Sequence, residues 1–185
     1  MNDTNPGAMA VVRPLIRARQ IRSFTDEPIG DAELHAITEV ARWTGSARNT
    51  QPFRFLTVRD RDTIRSLWEA GRPSLRSLET ATALVVIVLP ASDDPAETTS
   101  LAYDDGRAAE RMLIAANMLG LGAAIAWVRP DVRATVRVAF GLPEDRMVRT
   151  IIALGVPSAA GRAPKSAPGQ ARLPREESVR AERWG

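Results

Sequence analysis

The chain of 185 residues contains no cysteine and a single histidine, His35. Without cysteine it cannot form a disulfide, a thiolate metal site, an iron–sulfur cluster or a cysteine nucleophile. With one histidine it cannot build a multi-histidine zinc site, and a Ser/His/Asp triad would have to include His35. The composition therefore argues against metal-dependent and triad-dependent chemistry.

Lysine is almost absent too, because Lys165 is the only one among 25 basic residues, and 22 acidic residues leave a net charge of +3. The arginines are spread along the chain among nearly as many carboxylates, whereas nucleic-acid-binding modules usually concentrate their charge on one face. We therefore expect no nucleic-acid partner. The planar guanidinium of arginine is nonetheless well suited to bind phosphate at chosen positions.

No long hydrophobic run is present. The longest, residues 83–89, is far too short to span a membrane, and the first ten residues have neither the basic region nor the apolar core of a signal peptide. We expect a cytoplasmic protein with no membrane partner. The length suits one domain with a hydrophobic core.

Hydrophobic periodicity predicts alternating helices and strands. Apolar residues three and four positions apart indicate helices at residues 31–43, 60–70 and 103–119 and from residue 131. Alternating or continuous apolar segments indicate strands at residues 54–58, 83–89, 123–128 and 148–154. Together these elements predict one mixed α and β domain over residues 11–157.

Polar segments flank and interrupt this domain. Residues 1–10 are predicted as a disordered tail, and residues 92–100 as a polar linker. Asp31 and Asp131 are placed to cap the helices that they precede. Asp104 and Asp105 would lie near the amino end of a helix, where carboxylates are stabilised, and His35 would be exposed on its helix.

The last segment, residues 158–185, is rich in proline, small residues and charges and has few large apolar groups. Such a segment cannot bury enough surface to fold alone. It is therefore either disordered or an extended arm that packs on something else, for which a partner subunit is one candidate.

Three polar clusters stand apart from the core pattern. Residues 17–24 hold three arginines and a glutamine before a turn, residues 46–53 form a loop dense in amides and hydroxyls, and residues 172–177 are charged. The arginines could converge on an anion or form a solvated basic segment. The loop could be a simple turn, and the third cluster could be an ordinary charged tail.

The three clusters belong to a longer set of motifs that resembles the FMN-dependent nitroreductase superfamily. The family pattern R-R-S-x-R-x-F-x-D-x-P-[VI] is matched by residues 19–29, and P-S-x-x-N-x-Q-P-[WF]-x-F by residues 45–55. Further family motifs are matched, in the same order along the chain, by residues 41–42, 115–122, 140–145, 154–157, 172–179 and 182–185. The matches extend over nearly the whole chain, and the set is specific although no single motif is decisive.

The resemblance implies an α+β fold with a mixed central sheet flanked by helices. It also implies an intertwined homodimer, with FMN at the subunit interface and with residues 158–185 as an arm on the partner subunit. Such a dimer would explain how a segment that cannot fold alone becomes ordered.

The resemblance also implies which residues bind FMN. Arg19 and Gln20 should approach the phosphate, and Arg22 the pyrimidine edge of the flavin, where a cation would stabilise the reduced form. Arg172 should reach the phosphate from the arm. Ser46 and Asn49 should reach the FMN of the other subunit. The backbone of Ala124, Ile125 and Ala126 should lie along the flavin ring.

The chain departs from the family pattern at several positions. The first arginine of R-R-S is Ala18 and the serine is Gln20, and Arg17 is our hypothesis for a substitute cation. A tryptophan that often follows the glycine-rich turn is displaced to Trp127, which could shape the substrate side or belong to the core. Residues 73–82, where many members place a ring-contacting Asn or Lys, receive no role.

The resulting prediction is an FMN-dependent oxidoreductase. It would transfer hydride or electrons from a reduced nicotinamide, NADH or NADPH, to a small nitroaromatic- or quinone-like acceptor by a ping-pong mechanism, with no catalytic protein residue. Two alternatives stay open. One is a specialised flavin oxidase or dehydrogenase of the same fold that uses oxygen, and the other is a non-enzymatic FMN-binding protein.

Overall fold

The computed structural model describes residues 6–164, 166 and 172–184. The described helices are α1 (Pro6–Arg17), α2 (Asp31–Arg42), α3 (Arg61–Ala70), α4 (Pro95–Met118), α5 (Arg133–Ala139), α6 (Ala159–Arg162) and α7 (Arg175–Ser178). The strands are β1 (Arg54–Val58), β2 (Ala83–Pro90), β3 (Gly122–Trp127) and β4 (Arg146–Gly155).

The four strands form one sheet in the order β1-β2-β4-β3, so that β2 and β4 lie at its centre. The continuous apolar sequence of β2 is buried along nearly its whole length, because both faces of the sheet are covered. Apolar residues of α3 and α5 pack on one face, and those of α2 and α4 pack on the other. The predicted α+β class is confirmed. All three pairings among the described strands are antiparallel, whereas a mixed sheet was expected.

Helix α4 begins at Pro95, eight residues before the predicted start at residue 103. The side chain of Asp94 caps it by accepting a hydrogen bond from the main-chain N of Ala96 at 3.0 Å. Most of the predicted linker over residues 92–100 is therefore helical. Asp104 and Asp105 consequently lie in the middle of the helix and are buried, rather than near its amino end.

Other helix starts also differ from the prediction. No helix was predicted before residue 31, whereas α1 covers residues 6–17. Residues 6–10 were expected to be disordered, and residues 1–5 lie outside the described residues. Asp31 is not a cap, because Gly30 holds that position and Asp31 instead pairs with Arg59 at 2.9 Å. Asp131 lies within a single 3-10 turn that precedes α5 and pairs with Arg129.

The segment between α1 and α2 runs beside β3, the edge strand of the sheet. The N of Ile21 donates to the O of Ala123 at 2.8 Å, and Phe24 forms an isolated bridge with Pro157. A Cβ added to Gly155 would lie 2.7 Å from the Cβ of Phe24, so a glycine is needed for this close approach. The fold thus fixes residues 18–24 against one edge of the sheet.

None of the helices among the described residues is both long enough and apolar enough to cross a bilayer.

Candidate functional site

Gln20 joins two other predicted FMN-binding residues in one hydrogen-bond network. Its Oε1 accepts from Nη2 of Arg22 at 2.7 Å and from the main-chain N of Ile125 at 3.2 Å. An amide oxygen has two lone pairs, so both bonds can form at once. Gln20, which replaces the serine of the family pattern, therefore ties the Arg22 guanidinium to the edge of β3.

Arg22 lines a small cavity of about 230 Å³ together with Ser23, Arg76, Glu79, Ala160 and Gly161. Partial burial lowers the pKa of Arg22, and the positive charge of Arg76 lowers it further. The two guanidiniums thus face a common space, where they would be stabilised by an electron-rich group. Sequence reasoning gave Arg76 no role, because only the tertiary fold brings residues 22 and 76 together.

Arg19 has a structural role in addition to any role in binding. Its guanidinium donates to the O of Arg162 at 2.6 Å and to the O of Ala163 at 3.3 Å. Asn117, in the last turn of α4, bonds to both the N and the O of Arg19 at 3.3 Å. A guanidinium has five N–H groups, so Arg19 keeps donors for a ligand while it holds the end of α6.

The predicted FMN contacts on β3 lie beside the segment that carries Gln20. Ala124 and Ala126 are buried in the core, and the N–H of Ile125 is bonded to Gln20. Trp127, at the end of the strand, is 53% exposed. A core role for Trp127 is therefore wrong, and a role on the substrate side stays a hypothesis.

The loop that carries Ser46 and Asn49 has an unusual backbone. Arg48, Asn49 and Gln51 have φ values of 51°, 55° and 49°, a region that residues other than glycine rarely adopt. Two bonds hold this conformation: the Oγ of Ser46 accepts from the N of Gln51 at 2.8 Å, and Asp104 accepts from the N of Ala47 at 3.2 Å. Such strain is typical of functional loops.

The loop and the Gln20 network are not joined within one chain. Asn49 is exposed, and no hydrogen bond among the described residues connects the loop to Arg19, Gln20 or Arg22. The loop instead borders an open groove of about 720 Å³ on the side of α4. This separation is expected if the loop serves the site of a second subunit.

Arg172 lies in the last described segment, residues 172–184, every residue of which is exposed. The exposed residues include large apolar side chains, among them Trp184 at 87%. The rest of the predicted arm includes Lys165, residues 167–171 and Gly185, which lie outside the described residues. Exposed large apolar side chains on an otherwise charged segment are typical of a surface that packs on a partner.

Asp105, which the sequence placed near the amino end of a helix, is a buried ionisable group in the middle of α4. Its Oδ2 accepts from the Oγ1 of Thr150 at 2.6 Å, and its Oδ1 has no hydrogen-bond partner among the described residues. Burial raises the pKa of Asp105 to about 6, although the Thr150 bond and the charges of Arg149 and Arg133 oppose this rise. The carboxylate is therefore a source of pH-dependent stability. His35 is exposed, as predicted.

The sequence is similar to a known protein family. The model of the nitroreductase family matches residues 16–156 of the chain. A protein of Archaeoglobus fulgidus, provisionally named as an NADH dehydrogenase/NAD(P)H nitroreductase, is 30% identical over 141 residues, which is 75% of this chain and 80% of the relative.

Solved structures show the same fold. Nitroreductase A from Vibrio parahaemolyticus superposes with a TM-score of 0.80 and 22% identity, over 95% of this chain and 77% of that one. The NADPH:FMN oxidoreductase from Vibrio harveyi, solved with NAD⁺, has a TM-score of 0.79 and 24% identity, over 94% and 77%. An FMN-dependent nitroreductase from Clostridium difficile gives 0.78 and 21%, over 92% and 98%. At these identities the likeness concerns the fold.

Proposed function

The chain belongs to the nitroreductase family, and on that premise we propose that it is an FMN-dependent oxidoreductase. The observation that carries the proposal is the network of Gln20, Arg22 and the backbone of Ile125 beside a cavity that Arg76 shares. The network holds the guanidinium of Arg22 beside Ile125, at the edge of β3. All three of its members belong to the residues for which the family resemblance implies contact with FMN.

The chemistry of these donors fits a flavin. The pyrimidine edge of a flavin carries two carbonyl oxygens and ring nitrogens, which accept hydrogen bonds, and the guanidiniums of Arg22 and Arg76 are pure donors. Bound FMN would supply the chemistry of hydride transfer between a reduced nicotinamide and a second substrate. Arg22 and Arg76 would orient its pyrimidine edge and stabilise the negative charge that reduction places there, which raises the reduction potential.

Gln20 would act as a positioning residue. By accepting from Arg22 it limits the orientations of the guanidinium, and by accepting from Ile125 it fixes the distance between that guanidinium and the strand. Preorganised donors of this kind lose less entropy when the ligand binds. The backbone of Ala124, Ile125 and Ala126 would then lie along the flavin ring.

We further propose that the functional unit is a homodimer. Residues 11–157 would form the FMN-binding domain, residues 158–185 would pack on the partner subunit and bring Arg172 to the phosphate, and Ser46 and Asn49 would reach the partner's flavin. Three features support this: the exposed arm, the strained loop that has no hydrogen bond to the Gln20 network of its own chain among the described residues, and an exposed apolar surface on α1. The α1 surface consists of Met9, Val11, Val12, Leu15 and Ile16.

The proposed reductant is NADH or NADPH, and the proposed acceptor is a small nitroaromatic or quinone-like compound. Support comes from the relatives, since the name of the Archaeoglobus protein refers to NAD(P)H and the Vibrio harveyi enzyme is an NADPH:FMN oxidoreductase. No protein acid or base is required for transfer of hydride to the cofactor.

The test is anaerobic reduction of the FMN-loaded protein by NADPH and NADH, followed at the visible flavin absorbance. Rapid loss of absorbance with one of them, and its return after addition of a quinone or nitroaromatic compound, is the expected result. Loss that only oxygen reverses would favour a flavin oxidase. No loss with either nucleotide would contradict the proposal and favour a specialised dehydrogenase or a non-enzymatic FMN-binding protein.

A further inference from the structure

A second cavity, of about 330 Å³, lies between the carboxyl-terminal parts of α1 and α4. Its charged lining residues are Arg13 and Arg17, and no carboxylate lines it. The other lining residues are Ala10, Pro14, Ala18, Asn117 and Met118. The cavity is therefore a concave site with a concentrated positive charge.

The two arginines are four residues apart on α1, which places their side chains on the same face of the helix. Neither forms an ion pair among the described residues. Like charges at this spacing destabilise a helix. The fold of the described chain gives this pair no partner, whereas a bound anion would.

The cavity lies at one end of the segment that leads to the proposed flavin edge. Asn117, a lining residue, also holds both main-chain polar groups of Arg19. From Ala18 the chain runs beside β3 to Arg22, and four residues span at most about 14 Å. The cavity and Arg22 therefore lie at the two ends of one short segment, and an elongated ligand along this segment would contact both.

The local sequence explains why the cation would come from α1. Position 18 is alanine, whose small side chain leaves the cavity open. The neighbouring cation, Arg19, uses two of its donors to hold the carbonyls of Arg162 and Ala163. The guanidiniums of Arg13 and Arg17 are free of such bonds among the described residues and face the open space.

We propose that Arg13 and Arg17 form the subsite for the phosphate of FMN. This inference rests on the proposed function, because it takes the flavin to be FMN. A phosphate monoester carries close to two negative charges and accepts bidentate bonds from guanidinium groups, so two arginines on one helix face match both its charge and its geometry. The family pattern has an arginine where this chain has Ala18. In this chain, two arginines of α1 would take the place of that arginine.

The experiment compares FMN with riboflavin, which lacks the phosphate. Both are titrated into the flavin-free protein, with quenching of flavin fluorescence as the readout, for the natural chain and for Arg13→Gln, Arg17→Gln and the double variant. Each single variant should weaken FMN binding about tenfold, the double variant more, and none should change riboflavin binding more than twofold. Arg17→Lys should recover part of the loss, because it restores the charge.

Arg65→Gln is the matched control, since Arg65 is also an exposed helical arginine but lies on α3, where it pairs with Glu69. It should leave both affinities unchanged. Thermal unfolding of the flavin-free variants shows whether each is folded.

Several outcomes overturn the inference. Unchanged FMN affinity in the double variant, in a protein that prefers FMN to riboflavin, would refute the subsite and leave the proposed function intact. Equal losses for FMN and riboflavin would mean that the arginines act through the fold. A raised KM for NADPH with unchanged FMN affinity would assign the cavity to the phosphates of the nucleotide. Binding of neither flavin by the natural chain would refute the proposed function and the subsite together.

Discussion

Arg22 donates from Nη2 to the Oε1 of Gln20 over 2.7 Å, and the same oxygen accepts from the main-chain N of Ile125. One side chain therefore fixes a cation relative to an edge strand. A flavin bound along β3 would meet this cation at its pyrimidine edge. Gln20 therefore determines where the positive charge of Arg22 lies in the proposed site, although Gln20 itself is uncharged.

The first prediction concerns Gln20→Ala. Loss of the shared acceptor frees the Arg22 guanidinium and leaves the N–H of Ile125 without its partner, so flavin binding should weaken by about 1–1.5 kcal/mol, or roughly tenfold. The loss should be equal for FMN and riboflavin, because the Oε1 of Gln20 is bonded to Arg22 and Ile125, on the ring side of the proposed site. This differs from the family resemblance, which implies that Gln20 approaches the phosphate. Fluorescence titration with both flavins measures this. Natural affinity in the alanine variant would show that Arg22 does not need the network.

The second prediction concerns the pH dependence of stability. Burial raises the pKa of Asp105 from 3.8 to about 6, so the folded chain holds this proton more tightly than the unfolded chain. The contribution of Asp105 to the free energy of unfolding is therefore greatest below pH 4, falls as the pH rises to about 6, and is constant above that. The fall amounts to roughly 2–3 kcal/mol.

Asp105→Asn removes this titration and keeps an oxygen that can accept from Thr150. The free energy of unfolding of the variant, relative to the natural chain, should thus increase by the same amount between pH 4 and pH 7. Urea denaturation of both proteins at several pH values measures the difference, and all other titrating groups cancel in it. Parallel pH profiles would show that Asp105 is not the group responsible.

The third prediction concerns the packing of α6 against the segment that carries the network. A Cβ added to Gly161 would lie 2.3 Å from the O of Ser23, which is main chain and cannot rotate away. Gly161→Ala should lower the free energy of unfolding by about 1–3 kcal/mol. Flavin affinity should fall with it, because Arg22 adjoins Ser23.

Gly106→Ala is the matched control for this prediction. Gly106 is exposed in the middle of α4, and an added Cβ would meet no atom within 4 Å. The alanine should raise the free energy of unfolding by up to about 1 kcal/mol, because alanine favours the helix more than glycine does. Equal effects of the two substitutions, measured by urea denaturation, would contradict the close approach at Gly161.

The fourth prediction concerns the dimer. The chain has a mass of 20.1 kDa, and sedimentation should give a species of about twice that mass. Ile16→Ser should weaken dimerisation, because Ile16 is 62% exposed within the apolar surface of α1. Val138→Ser is the control, since Val138 is 77% exposed on α5, a helix that contributes no residue to that surface. A monomeric natural protein would contradict the dimer, and equal effects of the two substitutions would contradict the role of α1.

Much of the fold could be predicted from hydrophobic periodicity. The strand at residues 54–58 was predicted at its observed bounds, and β2 and β4 were identified by continuous apolar residues, because burial on both faces requires them. Helix α1 was not predicted at all, and the start of α4 was missed because polar composition was interpreted as a disordered tail or a linker. At residue 94 an aspartate followed by proline was the available signal for a helix start.

The candidate site was only partly predictable. Motif resemblance singled out Gln20 and Arg22, and the structure joins them by a hydrogen bond. Arg76, Arg13 and Asp105 have no sequence pattern that marks them, because their importance comes from which distant residues the tertiary fold places beside them. The predicted FMN-binding roles themselves stay predictions until a flavin is shown to bind.

The most direct test of the account is the visible absorption spectrum of the purified protein, followed by denaturation and chromatography of any released chromophore. We predict a flavin spectrum and release of one FMN per chain, or uptake of added FMN to that ratio by protein purified without it. A colourless protein that takes up no added FMN would contradict the account, because the network around Gln20 would then not be a flavin site.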